Sequence, residues 1–203
     1  MELVDLFLDI TRKTVYGQTM DLLSTPPKTK LNLSRFTPDR YANIIKYKTA
    51  YYSFCLPVRL AMYLAGIDDK KSHRDAESIL LKMGHFFQVQ DDYIDCFTSS
   101  EVSGKIGTDI QDGKCSWPIV VALQVVSREQ NELLHANYSR SEPECVARVK
   151  DLYNNLGIEQ LYKEYEEQQY TELNTMIDEL SKKSKLPSFI FHDFLSRIYR
   201  RTK

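Results

Sequence analysis

Apolar residues recur at helical spacing along most of the chain, and no stretch alternates at period two for long enough to make a sheet. Leu3, Phe7, Ile10, Met20 and Leu23 predict a first helix over 3–23, which opens with no N-cap and no preceding turn. Thr25-Pro26-Pro27-Lys28 ends it in a polar loop. Thr37 and Pro38 form an N-cap and first-turn pair for a second helix over 39–65, closed by Gly66. Pro57 is expected to kink or break that helix near Phe54. Ile79, Leu80, Met83, Phe86 and Phe87 predict the longest apolar helix, over 72–97. Thr98 to Gly113 reads as a long loop, and Ser116 as the N-cap of the next helix. Ser127-Arg128-Glu129-Gln130 and Ser141-Glu142-Pro143-Glu144 fit capping boxes for two shorter helices, the second closed by Gly157. A long amphipathic helix over 158–183 follows, and Leu186-Pro187-Ser188 turns into a last helix that runs into Tyr199-Arg200-Arg201-Thr202-Lys203. The expected fold class is all-α, as a single domain over 1–203.

The 203 residues, 42% of them hydrophobic, suffice for a sizeable core. A net charge of -1 points to neither nucleic acid nor an anionic membrane. No apolar run approaches the roughly 20 residues of a membrane span, and the acidic start Met1-Glu2-Leu3-Val4-Asp5 is no signal peptide. Cys55, Cys96, Cys115 and Cys145 lie far apart without metal-ligand spacing, so they read as reduced, buried thiols of a cytoplasmic protein.

The chemistry concentrates on the central helix. Gln88, Asp91, Asp92 and Asp95 stand at i, i+3, i+4 and i+7, on one stripe. Three like charges there repel one another, a penalty that a hard divalent cation removes. An ordinary solvated helix face is the competing reading. The bulky Phe86-Phe87 pair just before the stripe, and the loop Gly104-Lys105-Ile106-Gly107-Thr108-Asp109-Ile110-Gln111-Asp112-Gly113-Lys114 just after it, favour metal-phosphate chemistry. Gln18 and Asp21 share a helix face beside Gly17, where another element could approach closely, or they are plain surface polar residues. Lys46, Lys48 and Thr49 sit among Tyr47, Tyr51, Tyr52 and Phe54; spacing alone favours outward snorkelling of the lysines over a cleft for an anion.

Together these segments resemble the trans-prenyltransferase (polyprenyl synthetase) family, in its farnesyl diphosphate synthase branch. The resemblance runs from Met1 to Lys203 and is carried by Gly17-Gln18-Thr19-Met20-Asp21, Lys46-Tyr47-Lys48-Thr49, Phe87-Gln88-Val89-Gln90-Asp91-Asp92 and Gly104 to Asp112. Asp91-Asp92-Tyr93-Ile94-Asp95 matches the second aspartate-rich motif of that family. The resemblance implies an antiparallel helix bundle of the isoprenoid synthase type and condensation of an allylic diphosphate with isopentenyl diphosphate. It implies that Asp91, Asp92 and Asp95 hold magnesium against the allylic diphosphate, with Lys105 and Lys48 contacting its oxygens. Thr49 and Gln88 would favour the allylic cation, Gln18 and Asp21 would line the same cavity, and Phe87 would wall the second substrate's pocket. The basic end, Arg200, Arg201 and Lys203, matches the tail that closes over isopentenyl diphosphate.

The sequence departs from the family in one large respect: the first aspartate-rich motif with its paired arginines is absent. The resemblance therefore covers the C-terminal half of such an enzyme, which agrees with the uncapped first helix and makes product length unreadable. Dimerisation is expected by resemblance, either with itself or with a full-length synthase. Two alternatives are a terpene synthase-like enzyme that ionises the same diphosphate and a non-catalytic half-chain that pairs with a complete synthase.

Overall fold

The computed structural model describes residues 2–25, 31–184 and 186–201, and among these all regular secondary structure is helical, with no strand. The helices are α1 (Glu2–Leu22), α2 (Pro38–Ile45), α3 (Leu56–Leu64), α4 (Lys70–Phe97), α5 (Ser100–Ser103), α6 (Trp117–Val125), α7 (Arg128–Asn137), α8 (Pro143–Asn155), α9 (Ile158–Lys183) and α10 (Ser188–Ile198). A short 3-10 turn, Leu33–Arg35, precedes α2, and a π-helical segment, Lys46–Cys55, joins α2 to α3. The chain divides into two compact units. The first holds Met1–Gln18, Ile44–Gln88 and Tyr165–Arg201, and the second Thr19–Asn43, Val89–Glu164 and Thr202–Lys203.

In the first unit Leu80, Met83, Phe86, Leu173 and Ile177 are fully buried and form the centre of an apolar core. On α1 the buried large apolar side chains are Leu6 and Ile10, whereas Leu3 and Phe7, which the apolar period selects equally well, are exposed. A helix that is apolar on more than one face leaves period alone unable to choose the buried one.

The second helix of the sequence reading differs in its middle. It is not broken at Pro57; its backbone widens into the π segment just before it. Leu56 N–H bonds back to Tyr51 C=O, five residues earlier, and Pro57 then enters the first turn of α3, where its missing N–H costs little. Two glycines make room for the wide segment. A Cβ on Gly17 would lie 2.1 Å from Lys48 N, and one on Gly84 would lie 2.5 Å from Ala50 Cβ. Both distances are well inside van der Waals contact, so only glycine lets these backbones meet. At the far end Gly66, with φ +75°, closes α3 in a Schellman arrangement, Ile67 N–H bonding to Met62 C=O at 2.9 Å.

In the second unit Trp117, Tyr138, Tyr153 and Tyr162 are buried. The Tyr162 ring stacks on Tyr93 with centroids 3.8 Å apart and meets Trp117 edge-on at 5.9 Å. Local signals placed most helix ends here. Thr37 Oγ1 accepts from Arg40 N–H at 3.2 Å, and Ser127 and Gln130 form the full capping box. The second box does not form. The N-cap of α8 is Glu142, because Pro143 takes the first helical position, and Glu142 pairs instead with Arg140 at 2.7 Å. The loop after α4 is not wholly irregular, since Ser100–Ser103 makes one helical turn.

All four cysteines are free and buried. Burial pushes the thiols of Cys55, Cys96 and Cys115 up to about 12, which leaves them protonated and inert.

Candidate active site

The three aspartates near the end of α4 belong to the second unit, and each is held differently. Asp92 is buried, accepts from the Tyr41 hydroxyl at 2.5 Å, and takes the backbone N–H of Trp117 at 2.8 Å. That amide is the first of α6, so the carboxylate occupies a helix N-terminus that Ser116 leaves uncapped by its side chain. Asp95 accepts from the amides of Thr108 at 3.3 Å and Asp109 at 3.1 Å. The loop can come this close because residue 107 is glycine: a Cβ there would sit 1.8 Å from the Asp95 carbonyl oxygen. Asp91 is the open member, paired at 3.1 Å with the half-exposed Lys105.

Asp109 adds a fourth carboxyl group, and its pKa is pushed up to about 8, first by burial and then by the charges of Asp92, Asp95 and Asp91. Asp21 is buried and accepts from Lys114 Nζ at 3.2 Å. Among the described residues no group of three His, Cys, Asp or Glu side chains is drawn together as a metal cage. The donor set is nonetheless all hard oxygen, and part of it is engaged with protein donors. Such a set suits magnesium, which takes one or two carboxylates and completes its shell with water and phosphate oxygens.

In the first unit Thr49 is buried on the π segment and donates its hydroxyl proton to Gln88 Oε1 at 2.8 Å. Spending that proton leaves the Thr49 lone pairs available to a positive centre. Lys48 is half-buried, with its backbone lying on Gly17, while Lys46 is exposed and reaches over the Tyr47 ring at 5.7 Å. Phe87 meets Phe54 edge-on at 5.6 Å, and the Arg201 guanidinium lies 3.9 Å over the Phe87 ring and donates to the Phe87 carbonyl at 3.3 Å. Arg200 pairs with Glu167 at 2.8 Å. Gln18 is exposed, and Lys203 lies outside the described residues.

Sequence reasoning had assigned no role to Tyr41, Gly107, Lys114 or Glu167. Gly107 and Lys114 stand inside the quoted loop, and a glycine within a charged loop is a usable sign of close backbone approach. Tyr41 carries no such sign, because its hydroxyl meets a carboxylate 51 positions away.

The polyprenyl synthetase family model matches residues 1–156. Farnesyl pyrophosphate synthase of Gallus gallus is 49% identical over 203 residues, which is 100% of this chain and 54% of that protein. The Homo sapiens farnesyl pyrophosphate synthase is 48% identical over 203 residues, covering 100% of this chain and 48% of the relative. The chain thus spans about half the length of the curated relatives it matches. The T. brucei farnesyl diphosphate synthase complexed with risedronate superimposes with a TM-score of 0.90 at 33% identity, over 100% of this chain and 59% of that one. The all-helical chain therefore shares the isoprenoid synthase fold of these enzymes.

Proposed function

The chain belongs to the polyprenyl synthetase family, and from that premise we propose that it serves a farnesyl diphosphate synthase-type prenyltransferase, joining an allylic diphosphate to isopentenyl diphosphate. The observation that carries this reading is the Asp91, Asp92 and Asp95 stripe with Lys105 against its open member. Magnesium, when bound, supplies Lewis-acid neutralisation of the leaving diphosphate. Asp91 offers it the most accessible oxygens, while Asp92 and Asp95 are pre-oriented by Tyr41, Trp117 and the Gly107 loop. Lys105 and Lys48 act as point charges on diphosphate oxygens. Thr49, its proton given to Gln88, turns neutral oxygen toward an allylic cation and favours it without forming a bond. By resemblance to the family, Gln18, Asp21 and Phe87 are each assigned to substrate contact, and Arg200, Arg201 and Lys203 to the second diphosphate.

Calorimetric titration with inorganic pyrophosphate tests the reading. Binding should require magnesium and weaken about tenfold or more in an Asp91→Asn/Asp95→Asn variant, the loss of roughly 1.4 kcal/mol or more. Binding that ignores both magnesium and the substitutions would sink it. Asp-Asp-x-x-Asp occurs once in the 203 residues, and a diphosphate clamp uses carboxylates on two sides. We therefore expect little condensation by this chain by itself, and sustained product formation from geranyl and isopentenyl diphosphates would refute that.

A second reading, association with another copy or with a complete synthase, is favoured by the outer face of α1, where Val4, Leu8 and Val15 are 62%, 64% and 56% exposed. Light scattering coupled to size exclusion tests it, a monomer at all concentrations being the contrary result. Four free thiols fit a reducing, cytoplasmic setting. No helix among the described residues is long and apolar enough to cross a membrane.

A further inference from the structure

Helices α3 and α4 build a second polar site inside the first unit. Arg59 and Tyr63 stand at i, i+4 on α3, and Lys70, His73, Arg74 and Glu77 at i, i+3, i+4 and i+7 on α4, one stripe from each helix. With Asp68 of the turn between them, these side chains line a cavity of about 320 Å³. His73, 5% exposed, is its buried member. Its Nε2 donates to the Ile67 carbonyl at 2.9 Å, which leaves Nδ1 to accept from Arg59 Nε at 3.3 Å. The imidazole lies on the Tyr63 ring with centroids 4.3 Å apart. Arg59 Nη1 donates to Glu77 Oε2 at 2.7 Å. The guanidinium is thus fixed through Nε and Nη1, and Nη2 is bonded to neither side chain. Lys70 and Arg74 are exposed and make no ion pair with a described residue.

We propose that this cavity binds the phosphate group of a small soluble molecule, held by Arg59, Lys70 and Arg74. Three cations face two carboxylates on its lining, an excess of one positive charge, and Glu77 is already engaged by Arg59. Asp68 is the remaining carboxylate, so donors outnumber acceptors. An anion with several oxygens satisfies Arg59 Nη2, the Lys70 ammonium and the Arg74 guanidinium together, and a planar guanidinium matches phosphate geometry. The Arg59 side chain is 17% exposed and braced by His73 and Glu77, so its ordering is complete before a ligand arrives. Lys70 opens α4, where a cation opposes the helix dipole, and an anion beside it offsets that repulsion. A volume of about 320 Å³ exceeds a bare phosphate and leaves room for the molecule that carries it. A membrane surface is the poorer fit, because headgroup attraction relies on clusters of about four to eight lysines and arginines without interspersed carboxylates. The site shares no residue with the aspartate stripe and does not depend on the prenyltransferase reading.

Inorganic phosphate is the probe, titrated into the 203-residue chain at constant pH while the four histidine imidazoles are followed by NMR. Leaving magnesium out keeps metal-dependent binding at the aspartates from contributing. The His73 resonances should move saturably and those of His135 and His192 should stay, because His73 alone of the histidines lines this cavity. Sodium chloride at matched ionic strength should not reproduce the shift. Lys70→Ala/Arg74→Ala, at two exposed positions, should weaken phosphate about tenfold or more with the urea midpoint nearly unmoved. The site is overturned by the lack of a saturable shift at His73, by equal shifts at all four histidines, or by an unchanged affinity in the double variant. Co-sedimentation with phosphatidic acid vesicles in place of phosphate binding overturns the soluble ligand and makes the cavity a headgroup contact.

Discussion

Asp92 in the second unit and Glu167 in the first make the same contact, a carboxylate accepting from a tyrosine hydroxyl, with opposite physical meaning. Asp92 is 6% exposed, and the donors Tyr41 and Trp117 are buried with it. Both donors lose a charged, buried acceptor if the carboxylate leaves, so the contact is costly to break. Glu167 meets Tyr199 and Arg200 at the surface, where solvent substitutes for any partner at little cost. Burial, more than hydrogen-bond geometry, separates a structural carboxylate from an exchangeable one.

The largest effect that would test this contrast is Asp92→Ala. It removes a buried charged acceptor from a hydroxyl and a helix-terminal amide, and should lower unfolding free energy by about 3 kcal/mol. Urea denaturation checks it, and a loss below roughly 1 kcal/mol would mean that the buried donors find other partners. Gly17→Ala sharpens the comparison from the side of packing. Alanine normally favours a helix by up to about 1 kcal/mol, yet here its Cβ would meet Lys48 N at 2.1 Å. Overpacking against backbone should win, for a net loss of about 2 kcal/mol in the same assay. A stabilised variant would show that α1 and the π segment are free to separate. Tyr41→Phe removes a hydrogen bond to Asp92 and should cost about 1.5 kcal/mol. Its surface counterpart, Glu167→Ala, should leave the urea midpoint nearly unmoved. Comparable destabilisation by the last two would erase the distinction between the carboxylates.

Features written within four or five residues were legible in the chain: the Thr37 cap, the Ser127 capping box, the Gly66 and Gly157 stops, and the span of α4. The Ser141 box misled because Pro143 moved the helix start by one residue and put Glu142 at the cap. The acidic stripe was legible for the same local reason, since helical period alone aligns Asp91, Asp92 and Asp95. Lys105 was legible as part of a motif. The roles of Tyr41 and Glu167 were not, because each depends on a partner at least 32 positions away.

The sequence by itself thus determined an all-helical chain, most of its helix ends and the carboxylates on one stripe, because propensity, capping and period act over a single turn or two. Tertiary structure decided which of two apolar faces α1 would bury, that Lys46–Cys55 would widen into a π-helix between Gly17 and Gly84, and which carboxylate would be locked and which left open. Those outcomes depend on what surrounds each group. Desolvation and close packing are properties of neighbours that local order in the chain does not name.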